Sequence, residues 1–126
     1  MSNAKKILIV DDEPDLVKWL SFFFKENGYD TISANDGSEG IKKAENEHPD
    51  LITLDITMPS ESGVKMYRKL KESEKMAKIP VIMLTGVSAE FENFISSRKQ
   101  VPPPTAYFEK PVNKEELLSK VKELIG

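Results

Sequence analysis

The chain has 126 residues, 39% apolar and 31% charged, which suits one domain with one real core. A net charge of -3 excludes the basic footprint of a nucleic-acid binder, and the lack of cysteine excludes disulfides, thiolate zinc sites and cysteine nucleophiles. No apolar run approaches a membrane span and the N-terminus lacks a signal-peptide core, so a single cytoplasmic domain over residues 1–126 is expected, with no membrane contact and no direct nucleic-acid binding.

In chain order, Ser2-Asn3-Ala4 reads as a cloning scar or a native terminus and stays outside the fold reading. Lys6 to Val10 predicts a strand. Pro14 to Asn27 predicts a helix, with Leu16, Val17, Leu20, Phe23 and Phe24 on one face. Pro14 suits its first turn, and Gly28 the position just past its end. Tyr29 to Ala34 predicts a short strand. Asp36 to Glu47 predicts a helix with Asp36 as N-cap. Leu51 to Asp55, LITLD, is an apolar strand ending in an acid. A helix follows from about Ser62 to Glu74, then a strand from Pro80 to Thr85. Ala89 to Lys99 predicts a helix and Ala106 to Glu109 a strand. The last helix starts at Asn113, with Glu116 three residues on as a capping-box partner.

Five strands thus alternate with five helices, the pattern of a parallel sheet covered on both faces. Ligands of such sheets bind beyond the carboxyl ends of the strands. Those ends carry Asp11-Asp12, Asp55, Thr85-Gly86 and Lys110-Pro111. Three carboxylates about 5 Å apart repel by roughly 3 kcal/mol per pair at an effective dielectric near 20. A hard divalent cation, best Mg2+ completed by water and phosphate oxygens, relieves that repulsion, as does Lys110. One carboxylate is then left to act as a nucleophile toward phosphorus. Taken singly, each residue has a plainer reading: Asp11 and Asp12 as helix caps, Asp55 as a turn residue, Thr85 as a strand end, Lys110 as a solvated lysine.

Four segments, ILIVDDEPD, PDLITLDITMP, IPVIMLTG and AYFEKPV, make the chain resemble the receiver domain of two-component response regulators. Their order and spacing match the family over essentially the whole chain. The resemblance implies a flavodoxin-like, doubly wound sheet of order 2-1-3-4-5 with five helices. It implies that Asp55 accepts a phosphoryl group from a histidine kinase or a histidine phosphotransfer protein. Asp12 and Asp55 would ligate Mg2+ directly, Asp11 through water, and Thr57 through its backbone carbonyl. Thr85 and Lys110 would address phosphoryl oxygens, and Thr85 and Tyr107 would relay the change to a downstream effector. Lys110-Pro111 matches a cis bond of the family.

One departure is the longer segment between Thr85 and Lys110, with Pro102-Pro103-Pro104 in it. Three prolines favour an extended, stiff path, so the helix before them should end by about Gln100. This bears on the face that commonly carries output or a homodimer contact; a neutral insertion is the plainer reading. His48 reads as an exposed loop residue. Phe22 lies nearly opposite the core face of the first helix, which in this family helps to dock the kinase, so it is a candidate partner contact; an incidental exposed aromatic is the plainer reading.

Two alternatives compete. A Mg2+-dependent aspartyl-phosphate phosphatase of the haloacid dehalogenase type wants an Asp-x-Asp pair at the end of the first strand, which this chain lacks. A flavin-binding module wants a glycine- and hydroxyl-rich loop there, where three acids stand instead.

Overall fold

The computed structural model describes residues 4–58, 62–86 and 104–126. The strands are β1 (Lys6–Val10), β2 (Asp30–Ala34), β3 (Leu51–Asp55), β4 (Val81–Thr85) and β5 (Ala106–Glu109). The helices, four among the described residues, are α1 (Pro14–Glu26), α2 (Gly37–Glu47), α3 (Ser62–Glu72) and α4 (Lys114–Ile125). The helix expected over Ala89 to Lys99, and most of the proline segment, lie outside the described residues.

All neighbouring strands run parallel, in the order β2-β1-β3-β4-β5. Side chains alternate across the sheet, so each strand feeds two cores. Leu8, Val10, Ile52, Leu54, Val81 and Met83 pack with Ala44 of α2 and with Met66, Tyr67 and Leu70 of α3. Ile7, Ile9, Leu51, Ile82 and Leu84 pack with Leu20 and Phe24 of α1 and with Leu117 and Val121 of α4. A strand that must satisfy both layers is apolar at nearly every position, which is why β1, β3 and β4 read as continuous apolar runs.

The element ends follow local chemistry. Pro14 opens α1, where its missing N–H costs nothing. Asp36 caps α2 by accepting from the Glu39 N–H at 2.8 Å, and Asn113 caps α4 by accepting from the Glu116 N–H at 3.0 Å. Gly28, at φ +92, follows α1 in the left-handed region. The Gly28 and Tyr29 N–H groups donate to Lys25 and Phe24, a Schellman closure. Tyr29, expected in β2, is therefore spent on ending α1, and the strand starts at Asp30. Pro80 has no N–H for the ladder, so β4 starts at Val81 rather than Pro80. Helix α3 stops at Glu72, short of the expected Glu74, because the Ser73 hydroxyl takes the Met76 N–H and begins a turn.

Past the prolines, Thr105 is fastened to β4. Its N–H donates to the Val81 carbonyl at 3.0 Å, and its hydroxyl accepts from the Val81 N–H at 3.3 Å. His48 is exposed, as expected, and closes α2 in the left-handed region at φ 50. Phe22 is exposed on α1. Among the described residues, no helix is long and apolar enough to cross a membrane.

Candidate functional site

Asp11 directly follows β1, Asp55 ends β3 and Thr85 ends β4, so the sheet order alone sets these three side by side. All three are buried, Asp11 and Asp55 at 1% exposure, while Asp12 is exposed. A buried carboxylate needs donors, and each has them. Asp11 and Asp55 make the same local turn, with Oδ1 accepting the backbone N–H two residues on. For Asp11 that donor is Glu13, at 2.9 Å; for Asp55 it is Thr57, at 2.8 Å. The Thr57 hydroxyl adds a second donor to Asp55 Oδ1 at 2.6 Å.

Both Oδ2 atoms face Lys110. Its ammonium lies 3.2 Å from Asp11 Oδ2, 3.1 Å from Asp55 Oδ2 and 3.0 Å from Glu13 Oε1. The Lys110 N–H donates to the Thr85 carbonyl at 2.8 Å, which aims the lysine across the strand ends. The Lys110-Pro111 bond is cis. Burial works against the lysine charge, but the hydrogen bond to Glu13 and the charges of Asp55 and Asp11 outweigh it and hold the ammonium above the ordinary lysine value. Burial pushes Asp11 up from 3.8 to about 6; the Glu13 N–H opposes the shift, Asp55 adds to it, and Lys110 opposes it.

Carboxylate oxygens of Asp11, Asp12 and Asp55 all lie within 4.8 Å of one another. This is an all-oxygen, anionic donor set with, among the described residues, one lysine against it, and it fits a hard divalent cation.

The glycine at the start of α3 has a geometric duty here. A Cβ on Gly63 would sit 2.2 Å from the Asp55 carbonyl oxygen and 2.9 Å from Ile56 Cα. Only glycine lets α3 come this close to the end of β3.

The structure thus gathers Asp11, Asp12, Asp55, Thr57 and Lys110, and sets Thr85 at the adjacent strand end. Tyr107 stands on β5, half-buried, with its hydroxyl donating to Glu109 at 3.3 Å. Three features escaped the sequence reading: Glu13 as a partner of Lys110, the Thr57 hydroxyl on Asp55, and the close approach at Gly63. The first had a signal, a third acid two residues after Asp11. The second had one too, a hydroxyl two residues after the buried acid.

Comparison with known proteins agrees with this geometry. The model of the response regulator receiver domain family matches residues 7–122. The alkaline phosphatase synthesis transcriptional regulatory protein PhoP of Bacillus subtilis (strain 168) is 37% identical over 121 residues, which is 96% of this chain and 48% of that protein. The chain thus spans about half the length of this curated relative. Among solved structures, a CheY-like response regulator receiver domain protein from Methanospirillum hungatei JF-1 superposes with a TM-score of 0.82 at 33% identity, covering 96% of this chain and 93% of that one. The receiver domain of a sensor histidine kinase from Pseudomonas aeruginosa PAO1, described with a magnesium ion coordinated in its active-site cleft, gives 0.84 at 26% identity and 98% coverage of both chains.

Proposed function

The chain belongs to the response regulator receiver domain family, and from that premise we propose that Asp55 is its phosphoacceptor. It is a receiver of two-component signalling. The observation that carries the residue assignment is Asp55 itself: a carboxylate at 1% exposure, at the end of a central strand, with Lys110 on Oδ2 and Thr57 on Oδ1. An oxygen of this carboxylate forms a bond to phosphorus as the phosphohistidine P–N bond of a histidine kinase or phosphotransfer protein breaks. Phosphoryl transfer asks mainly for positioning and for charge stabilisation at the equatorial oxygens. Lys110 supplies a fixed positive charge for one of them, and the Thr85 hydroxyl addresses another. The two Thr57 donors hold the carboxylate plane while the new bond forms.

Asp11, Asp12 and Asp55, with the Thr57 carbonyl, would hold Mg2+. When bound, that ion offsets the negative charge of the acidic cluster and of the phosphoryl oxygens. The product adds charge and acceptor atoms at one point, and Thr85 and Tyr107 pass the rearrangement to an effector-binding surface. The reading is of a cytoplasmic switch rather than of an enzyme with a separate substrate. The geometry lends the phosphatase alternative no specific support.

The test is intact-mass analysis after incubation with acetyl phosphate and Mg2+. One phosphoryl group should appear on the wild type and none on Asp55→Ala. Equal modification of the variant overturns the assignment.

A further inference from the structure

Lys110 has three N–H donors, and in this structure three carboxylates take them. The three acceptors are not alike. Asp11 and Asp55 are buried, and their other oxygens are tied to backbone N–H groups. The Glu13 side chain is 61% exposed, against 16% for Lys110. Glu13 stands at the N-cap position of α1, yet its side chain makes no capping hydrogen bond. Its backbone is held instead, by the N–H that Asp11 Oδ1 accepts at 2.9 Å. Asp11 therefore spans two partners: one oxygen fixes the Glu13 backbone and the other holds Lys110, and from that fixed point the glutamate side chain reaches the ammonium.

On the reading of Asp55 as phosphoacceptor, we propose that Glu13 is a positioning residue: it tethers the Lys110 ammonium before phosphoryl transfer and yields it to the phosphoryl oxygen. As an Asp55 oxygen bonds phosphorus its own hold on the ammonium weakens, and for Lys110 to turn fully to the phosphoryl oxygen one of the other two carboxylates must also let go. Asp11 cannot let go cheaply, since it would be left buried with one oxygen unpaired. Glu13 can, because water is already at its carboxylate and takes over as the pair parts. The contact thus sets a threshold: the phosphoryl group wins the lysine only in competition with a surface carboxylate. The cost is small, of the size that an exposed ion pair carries, so it tunes the reaction without blocking it.

The experiment is calorimetric titration of the full chain with beryllofluoride, a phosphoryl mimic, at saturating Mg2+, beside the initial rate of phosphorylation by acetyl phosphate. Four variants separate a tether from a general field. Glu13→Gln keeps the shape and loses the charge; Glu13→Asp keeps the charge and loses the reach. Asp15→Asn removes an acid from the same exposed first turn of α1. Asp55→Ala tests the underlying reading. Glu13→Gln and Glu13→Asp should both bind the mimic about threefold more tightly than wild type and react faster by a similar factor, while Asp15→Asn stays at the wild-type value. Wild-type affinity in Glu13→Gln overturns the proposal. So does wild-type affinity in Glu13→Asp, or an equal gain in Asp15→Asn, since either makes the effect one of net charge. If wild type and Asp55→Ala bind the mimic alike, it is the phosphoacceptor reading that has failed; if only wild type binds and Glu13→Gln gains nothing, the tether alone is wrong.

Discussion

The sheet contains two kinds of strand. β3 and β4 bury every side chain, and β1 every one but Lys6; the edge strands β2 and β5 are mostly half-buried or exposed. The site divides along the same line. Asp11, Asp55 and Thr85 come from the ends of central strands, clamped between two packed layers, whereas Lys110 and Tyr107 come from the edge strand β5 and its exit. The two buried carboxylates sit where packing is tightest and Lys110 and Tyr107 where it is looser, with Thr85, the donor proposed to relay the phosphoryl state, buried at the boundary between them. A switch needs both: a uniformly rigid sheet would accept phosphate without relaying it, and a uniformly soft one would not hold buried carboxylates together.

The sharpest way to break this division is at the two glycines beside it. Gly63→Ala drives a methyl into the Asp55 carbonyl and Ile56 Cα, backbone atoms that cannot rotate away. It should cost about 3 kcal/mol or more by urea unfolding, and should displace Asp55. Gly86, just past β4, has nothing among the described residues within 4 Å of an added Cβ, and Gly86→Ala should stay within about 0.5 kcal/mol of wild type. Equal effects would mean that α3 rides freely on β3.

A second comparison measures the two kinds of strand directly. Ile82, on β4, has no exposed surface, and Ile82→Ala should cost about 3 to 4 kcal/mol. Phe108, on β5, is larger but half-buried, and Phe108→Ala should cost only about 2 kcal/mol, because part of its surface is already in water. If Phe108→Ala costs the more, β5 is as firmly packed as the centre and the division fails.

Asp11 tests the electrostatic side. A carboxyl held near 6 in the folded state and near 3.8 in its ordinary environment binds more protons folded than unfolded between those values. Stability therefore falls as pH rises through that window, and the deficit persists above it. Asp11→Asn removes this dependence. Without Mg2+, variant and wild type should match near pH 4, and the variant should be more stable by about 2 kcal/mol at pH 7. Saturating Mg2+ should narrow that gap by stabilising the wild type more. A difference that stays flat from pH 4 to 6.5 would show that Asp11 ionises at no cost.

Much of this was legible in the sequence. Asp11, Asp55, Thr85 and Lys110 could be placed because each follows or ends an apolar run, and a strand end is fixed by local pattern. The tie between Lys110 and Glu13 was not, since it joins residues 97 apart and exists only once the exit of β5 closes over the exit of β1. Nor was the duty of Gly63, which in sequence is an unfavourable residue early in a helix and gains its meaning only from the backbone of β3. Tyr29 and Pro80 were misassigned by one position each because hydrophobic pattern does not say which N–H groups a turn will claim.

The smallest effect concerns the helix starts, where the same comparison of structural and functional duty recurs. Asp36 and Glu13 both hold N-cap positions, of α2 and α1. Asp36 does what an N-cap does, accepting the Glu39 N–H at 2.8 Å, while Glu13 leaves that work undone and turns to Lys110. Asp36→Ala should therefore cost about 1 kcal/mol, the usual loss of a side-chain cap. Glu13→Ala removes no cap bond and one exposed ion pair, so it should cost no more than about 0.5 kcal/mol. Thermal unfolding of the two variants without Mg2+ distinguishes them. Comparable losses would mean that Glu13 is held at its position by the folding of α1, and the acid at this helix start would then be structural rather than turned toward the site.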